Sequence, residues 1–167
     1  MNIDELYWNA VEYARDDAPD LQLIDRMGLE ETELIDFRAT LREGKVGLIL
    51  AGGPETFGAN TCVLVADGVV TSSFIRFARL TRFTAYTVGY STIEQAREGL
   101  LANFLFESVG EMAIVAKRLD IYFGNVRSLP SNPPDYEFDA PAKIRDNLPS
   151  WQSEFEVVHR RMIASTQ

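Results

Sequence analysis

The chain contains only one cysteine and one histidine, Cys62 and His159. A single cysteine excludes an intramolecular disulfide, and such usage is typical of a reducing compartment. One residue of each kind also excludes a zinc site built from cysteines and histidines. Cys62 belongs to a β-rich apolar run, where a buried and inert thiol is expected, and His159 lies off the apolar stripe of its segment. We therefore predict no catalytic residue of this pair and no metal site.

Long hydrophobic runs are missing as well. The longest apolar runs without a charge, residues 46–54 and 99–106, fall far short of the ~20 residues that span a bilayer. The first residues include Asp4 and Glu5, which is not the basic and then apolar pattern of a secretory signal. With 167 residues in all, the chain is expected to be one cytoplasmic domain, residues 1–167, without a membrane partner.

Positive charge is scarce, above all in the first quarter of the chain. The chain holds 16 basic and 25 acidic residues, a formal charge of −9, and residues 1–43 alone carry 12 of the acidic residues but only 4 arginines. Because nucleic-acid binders neutralise phosphates with lysine and arginine, this distribution argues against a nucleic-acid partner. It suits a basic protein partner, since complementary fields speed encounter. Acidity also keeps a protein soluble without any partner.

Apolar spacing predicts helices at the N-terminus. A helical stripe is formed by Ile3, Leu6, Tyr7, Ala10, Val11 and Ala14. Asn2 can cap this helix, with Glu5 three residues on in the capping-box position. A short helix is predicted at residues 21–27. A further helix is predicted at residues 30–42, with Leu34, Phe37 and Leu41 on its apolar side.

The remaining patterns complete an α+β prediction. A small antiparallel sheet of three to five strands is expected over residues 46–90, with a hairpin at Asp67–Gly68. A long central helix, residues 92–119, is predicted to pack on this sheet. A short strand is expected at residues 121–123, and a proline-rich loop at residues 125–149. A C-terminal helix is then predicted to begin at Ser150, with an apolar side formed by Trp151, Phe155, Val158 and Met162.

Two motifs can be rejected from the residues themselves. Gly53 and Gly58 have the spacing of a nucleotide-binding P-loop, but Ala59 and Asn60 stand where lysine and serine or threonine are required. Residues 20–38 have the spacing of a helix-turn-helix. Their second helix is too acidic to enter a DNA groove.

The main functional prediction is a non-enzymatic protein that docks a basic protein partner, in the concrete form of a stoichiometric inhibitor or an immunity-type protein that neutralises a toxin. No cofactor is expected. The predicted partner-binding residues are acidic and lie in two separate segments: Glu30, Glu31, Glu33 and Asp36, and then Asp135, Glu137 and Asp139.

Two other functions are open at this point. Arg76, Arg79 and Arg82 lie among aromatic residues and could grip an anion, a nucleotide or another small molecule, in a binding protein or an enzyme. A secretion-type chaperone or a subunit of a larger assembly also suits a small acidic α+β protein. The oligomeric state does not follow from the sequence.

Overall fold

The computed structural model describes residues 1–9, 29–52, 58–77, 86–107, 109–130 and 134–165. These residues are mostly β. Their elements are α1 (Ile3–Trp8), β1 (Glu33–Thr40), β2 (Lys45–Ala51), β3 (Thr61–Asp67), β4 (Thr71–Arg76), β5 (Val88–Ala96), β6 (Gly99–Phe106), β7 (Gly110–Ala116), β8 (Arg118–Val126), α2 (Pro141–Asp146) and β9 (Phe155–Ala164).

The strands form two antiparallel sheets that enclose one core. The first sheet has five strands in the order β1-β2-β3-β8-β9, and the second has four in the order β4-β7-β6-β5. Buried side chains of both sheets meet in a single cluster, which we call the inner core. It includes Leu48, Leu50, Leu64, Ile93, Phe104, Phe106, Ile114, Ile121 and Phe123. Burial of this apolar surface between the two sheets is the main force that holds them together.

A bent two-stranded ribbon passes from one sheet into the other. β3 pairs with β8 in the first sheet, and β4 pairs with β7 in the second. At the bend, the backbone N–H of Lys117 donates to the carbonyls of Asp67, at 3.0 Å, and Gly68, at 3.2 Å. Gly68 has a φ of 64°, which glycine adopts without strain. The hairpin predicted at Asp67–Gly68 is therefore wrong, because both flanking strands pair with the β7–β8 ribbon and not with each other.

The two sheets are also joined at the start of β1. The N–H of Leu34 donates to Tyr86 O at 3.0 Å, and the N–H of Val88 donates to Thr32 O at 2.8 Å. The N–H of Glu31 donates to Val88 O at 2.9 Å. These bonds tie the residues around Glu31 to the first residues of β5 and hold them in a defined position.

A second core covers the other face of the five-stranded sheet. It is formed by Ile3, Leu6, Tyr7, Ile49, Val63, Val65, Tyr122, Val126, Trp151 and Phe155. α1 and the segment around Trp151 supply its cover, and we call it the outer core. Gly47 is required beneath it, because a Cβ there would lie 2.7 Å from both Trp151 and Tyr7 ring atoms. Since β2 and β3 are buried on both faces, their sequences are apolar runs without alternation.

The predicted long central helix is wrong. Residues 92–119 contain most of β5, all of β6 and β7, and the start of β8. Inward-facing side chains recur at every second position, as at Leu100, Ala102 and Phe104, and these are buried. Leu101 and Leu105 lie on the opposite face of β6 and add apolar residues at spacings that mimic a helix. The fold is therefore not the predicted α+β arrangement of one small sheet on a helix.

The helix predicted at residues 30–42 is also wrong, since Glu33–Thr40 is strand β1. Its register with β2 shifts between Leu34 and Asp36, so Ile35 is an extra residue in a β-bulge. The bulge resets the alternation, which puts Leu34 against the inner core and lets Phe37, three residues on, line a groove beside the same core. A spacing of three, which favours a helix in the sequence, here results from the bulge.

The predicted C-terminal helix is wrong as well, because residues 155–164 form β9. Trp151 and Phe155 are buried in the outer core, but Val158 and Met162 are each 44% exposed, so the four residues do not form one buried stripe. β9 also carries an irregularity, since Val157 pairs with Gly124 and His159 with Phe123.

Other predictions agree with the structure within the part of the chain that it describes. α1 begins as predicted, and the capping box of Asn2 and Glu5 is present. The predicted sheet begins at residue 46, and residues 46–50 lie in β2; the strand predicted at residues 121–123 lies in β8. The remainder of the N-terminal stripe and the predicted helix at residues 21–27 lie outside the described residues. No described helix is long and apolar enough to cross a membrane.

Candidate functional site

The candidate site is a cleft of about 280 Å³ next to the start of β1. Glu33 of β1 pairs with Ala51 at the end of β2, and both residues line the cleft. The opposite wall comes from the proline-rich segment between β8 and β9. The full lining is Glu31, Glu33, Ala51, Gly52, Asn60, Leu129, Pro130, Pro134, Asn147, Leu148 and Pro149. We call it the acidic cleft.

Asn60 fixes the sheet side of this cleft. Its Nδ2 donates to Val126 O at 3.1 Å, and its Oδ1 accepts from Val126 N at 2.9 Å and from Thr61 Oγ1 at 2.9 Å. Its own backbone N–H donates to Asn125 Oδ1 at 3.1 Å. Because these bonds occupy the amide group, Asn60 serves as a rigid wall of the cleft.

A hydrogen bond between Tyr136 and Glu33 joins the two acidic segments. The Tyr136 hydroxyl donates to Glu33 Oε2 at 2.8 Å, across 103 positions of sequence. Burial, together with the hydrogen bond and the charge of Glu33, raises the pKa of Tyr136 above its usual range. The phenol therefore stays protonated and holds the Glu33 carboxylate in one position. Segments that the sequence shows as separate thus lie together in the fold.

Removal of this hydrogen bond should have a pH-dependent effect. We expect Tyr136→Phe to lower the free energy of unfolding by about 0.5–1.5 kcal/mol at neutral pH. A group whose pKa is raised on folding contributes stability below its unfolded pKa and loses it as the pH rises. The difference between wild type and variant should therefore shrink above about pH 10. Urea unfolding of wild type and variant at a series of pH values measures the difference in their free energies of unfolding. A difference that grows with pH would contradict this role for Tyr136.

Glu31 occupies an unusual backbone conformation at the edge of the cleft. Its φ of 68° lies in the left-handed region, which costs a residue with a side chain about 1–2 kcal/mol. It is the third residue of a turn that the Thr32 N–H closes on Leu29 O at 3.1 Å. The Thr32 hydroxyl donates to the same carbonyl at 2.5 Å. The exposed Glu31 side chain is thus held at the cleft by a well-bonded turn.

Three of the predicted partner-binding residues have structural contacts. Asp36 accepts the indole N–H of Trp151 at 2.8 Å and so supports the outer core. Asp135 Oδ1 accepts the backbone N–H groups of the next turn, from residues 137 and 138. Asp139 pairs with Lys143 at 2.5 Å, and this contact and the Asp135 N–H hold the pKa of Asp139 below its usual range.

Of the other four predicted residues, Glu31 and Glu33 line the cleft, and Glu30 is the chain neighbour of Glu31. Glu33 has one carboxylate oxygen bound to Tyr136, and Glu137 is the next residue after that tyrosine. Glu31 and Glu137 are exposed, and Glu30 is half-buried. Among the residues that the structure describes, Glu30, Glu31 and Glu137 have no ion pair. The carboxylates of Glu30, Glu31 and Glu137 are therefore available to a partner, and Glu33 has its other carboxylate oxygen for it.

The arginine cluster of the alternative prediction is described only in part. Arg76 is exposed at the end of β4, where its Nη2 donates to the Tyr86 hydroxyl at 2.6 Å. Arg79 and Arg82 lie outside the described residues. Cys62 is fully buried in the inner core, and this burial raises the pKa of its thiol.

Sequence reasoning missed several parts of the cleft. Tyr136 and Asn60 were not predicted as site residues, although Tyr136 lies in the proline-rich loop and Asn60 in the glycine-rich loop.

The ranges that the structure describes contain no group of three or more His, Cys, Asp or Glu side chains arranged to hold a metal ion. Comparisons with protein-family models, curated proteins and solved structures find no match.

Proposed function

We propose that this chain is a non-enzymatic cytoplasmic protein that docks a basic protein partner, as a stoichiometric inhibitor of the immunity type. It binds the partner through the acidic cleft and through the carboxylates of Glu30, Glu31, Glu33 and Glu137, which we call the rim. The observation that carries the proposal is the Tyr136–Glu33 hydrogen bond, which brings the two acidic segments to one cleft. Charge complementarity of this kind raises association rates and selects against acidic partners.

The order of the rim also supports the proposal. The Glu33 carboxylate is held by Tyr136, and Glu31 lies in a turn that is bonded to β5. Side chains already in position lose little conformational entropy when a partner binds, so more of the interaction energy appears as affinity. A toxin that acts on nucleic acid needs cations to bind phosphates. Carboxylates whose backbone positions are held by the fold can occupy those cations in place of the substrate.

The proposal is tested by reversing charge at the rim. The triple variant Glu30→Lys, Glu31→Lys and Glu137→Lys should associate at least about tenfold more slowly with the partner at low ionic strength. Its association rate should also depend less on salt. The partner is first captured from the lysate of the producing organism, its stoichiometry is established by native mass spectrometry, and rates are measured by stopped flow with both proteins purified.

The matched control changes the net charge equally at residues outside the cleft lining. Glu94 and Glu111 are exposed on strands of the four-stranded sheet, and Glu98 is exposed in the turn between β5 and β6. Their triple reversal to lysine should keep most of the association rate. Equal effects of the two triple variants would show that only net charge matters. Failure to capture any stoichiometric basic protein would contradict the proposed function.

A further inference from the structure

We infer that the acidic cleft is a site for one arginine side chain, presented by the basic partner; the inference rests on the proposed function and names the group that this partner inserts. The first argument is size. Typical small-molecule pockets measure about 300–1,000 Å³, and the cleft, at about 280 Å³, lies just below that range. It can take one long side chain but not a folded element.

The second argument is the distribution of polar and apolar groups. Glu31 and Glu33 line the cleft on the side of β1. The lining from the segment between β8 and β9 is mostly apolar, with Leu129, Pro130, Pro134, Leu148 and Pro149 beside the polar Asn147. An arginine side chain has the same two parts, since its methylene stem packs on apolar groups while its head pairs with carboxylates. The two glutamates can therefore pair with the charged head of the arginine while the apolar residues contact its stem.

The third argument favours arginine over lysine. Tyr136 engages Oε2 of Glu33, which holds that carboxylate at the cleft and leaves its other oxygen to accept a guanidinium N–H. A guanidinium is planar and more weakly hydrated than an ammonium, so it enters a cleft with proline walls at a smaller desolvation cost. Asn147 also lines the cleft, and no hydrogen bond joins its side-chain amide to another described residue. Its oxygen can accept a further guanidinium N–H.

The inference is tested with short peptides on the full, isotope-labelled chain. Blocked glycine–serine peptides with one central arginine, lysine or citrulline are titrated, and amide shifts are followed by NMR. We expect the arginine peptide to give saturable shifts centred on Glu31, Gly52 and Asn147. Lysine should bind more weakly, and citrulline, which keeps the shape without the charge, at least about tenfold more weakly.

Two variants test the cleft without changing its surroundings. Ala51→Leu should fill the space and abolish the shifts, whereas Ala113→Leu, the same change on the four-stranded sheet, should not. Glu33→Gln can still accept the Tyr136 hydrogen bond but lacks the charge, and it should weaken arginine binding about tenfold. If Ala51→Leu does not fold, Glu33→Gln provides the same decision.

The outcomes separate this inference from the proposed function. Equal binding of arginine and citrulline peptides, or arginine binding that persists in Glu33→Gln, would overturn the cleft as an arginine site. Tighter binding of free arginine than of the blocked peptide would overturn the partner as its source. If the arginine peptide fails while the rim reversal still slows partner association, the inference is wrong and the proposed function stands. Arginine binding without any stoichiometric partner contradicts the proposed function instead.

Discussion

Replacement of Trp151 by alanine is expected to lower the free energy of unfolding by about 3–5 kcal/mol. Trp151 is only 6% exposed, and its ring packs edge-on against Tyr7 with centroids 5.5 Å apart. The Arg38 guanidinium lies 4.4 Å from the centroid of the indole, whose N–H is bonded to Asp36. The substitution therefore removes a large apolar surface, a cation–π contact and a hydrogen bond together.

The second tryptophan of the chain is the control. Trp8 also contacts Tyr7, at 4.9 Å between centroids, but it is 43% exposed. Trp8→Ala should therefore cost only about 1 kcal/mol. Urea unfolding followed by far-UV circular dichroism compares both variants without dependence on tryptophan fluorescence. Similar losses for the two substitutions would mean that the outer core does not depend on Trp151.

The second large effect is expected at Asp120. This carboxylate is 1% exposed on β8 and lies between two arginines. Arg160 Nη2 donates to Oδ1 at 2.6 Å, and Arg118 Nε lies 2.9 Å from Oδ2. Asp120→Asn keeps the size but removes the charge, and it leaves Arg160, itself only 11% exposed, beside a neutral amide. We expect a loss of about 3–5 kcal/mol in the free energy of unfolding.

An exposed ion pair between Arg127, the residue after β8, and Glu156 of β9 supplies the comparison. Arg127 and Glu156 contact each other at 2.7 Å, with side chains 79% and 61% exposed. Glu156→Gln removes one charge with the same chemistry, but solvent already screens the pair, so no measurable change in urea unfolding is expected. If the two substitutions had equal effects, burial would not be what makes Asp120 important.

The errors in the fold prediction have one physical origin. Sequence periodicity reports which residues are apolar, but it does not report where a strand is irregular or how many of its faces are covered. Because Ile35 is an extra residue in a bulge, Leu34 and Phe37 lie on the same side of β1 although they are three positions apart, a spacing typical of a helix. The partly apolar outer side of β6, with Leu101 and Leu105, makes residues 99–106 equally compatible with either periodicity. Propensity could not decide these cases, because pairing with distant strands did.

The role of the acidic residues in partner binding stays a prediction. Glu30, Glu31, Glu33 and Glu137 follow from charge alone, and two of them, Glu31 and Glu33, line the acidic cleft. Their neighbours do not follow from any local pattern. Tyr136 matters because it reaches Glu33 from 103 positions away, and Asp36 turned out to support Trp151. Only tertiary contacts separate a carboxylate that is available from one that holds the fold.

The sequence by itself determined the charge, the capped first turns of α1, the buried strands β2 and β3, and the absence of disulfide chemistry, because each of these depends on local or compositional properties. The tertiary structure decided the two-sheet architecture, the bent ribbon that joins the sheets, the buried Asp120 cluster and the acidic cleft. Each of these is made by residues far apart in sequence, and their contacts exist only after the sheets have packed.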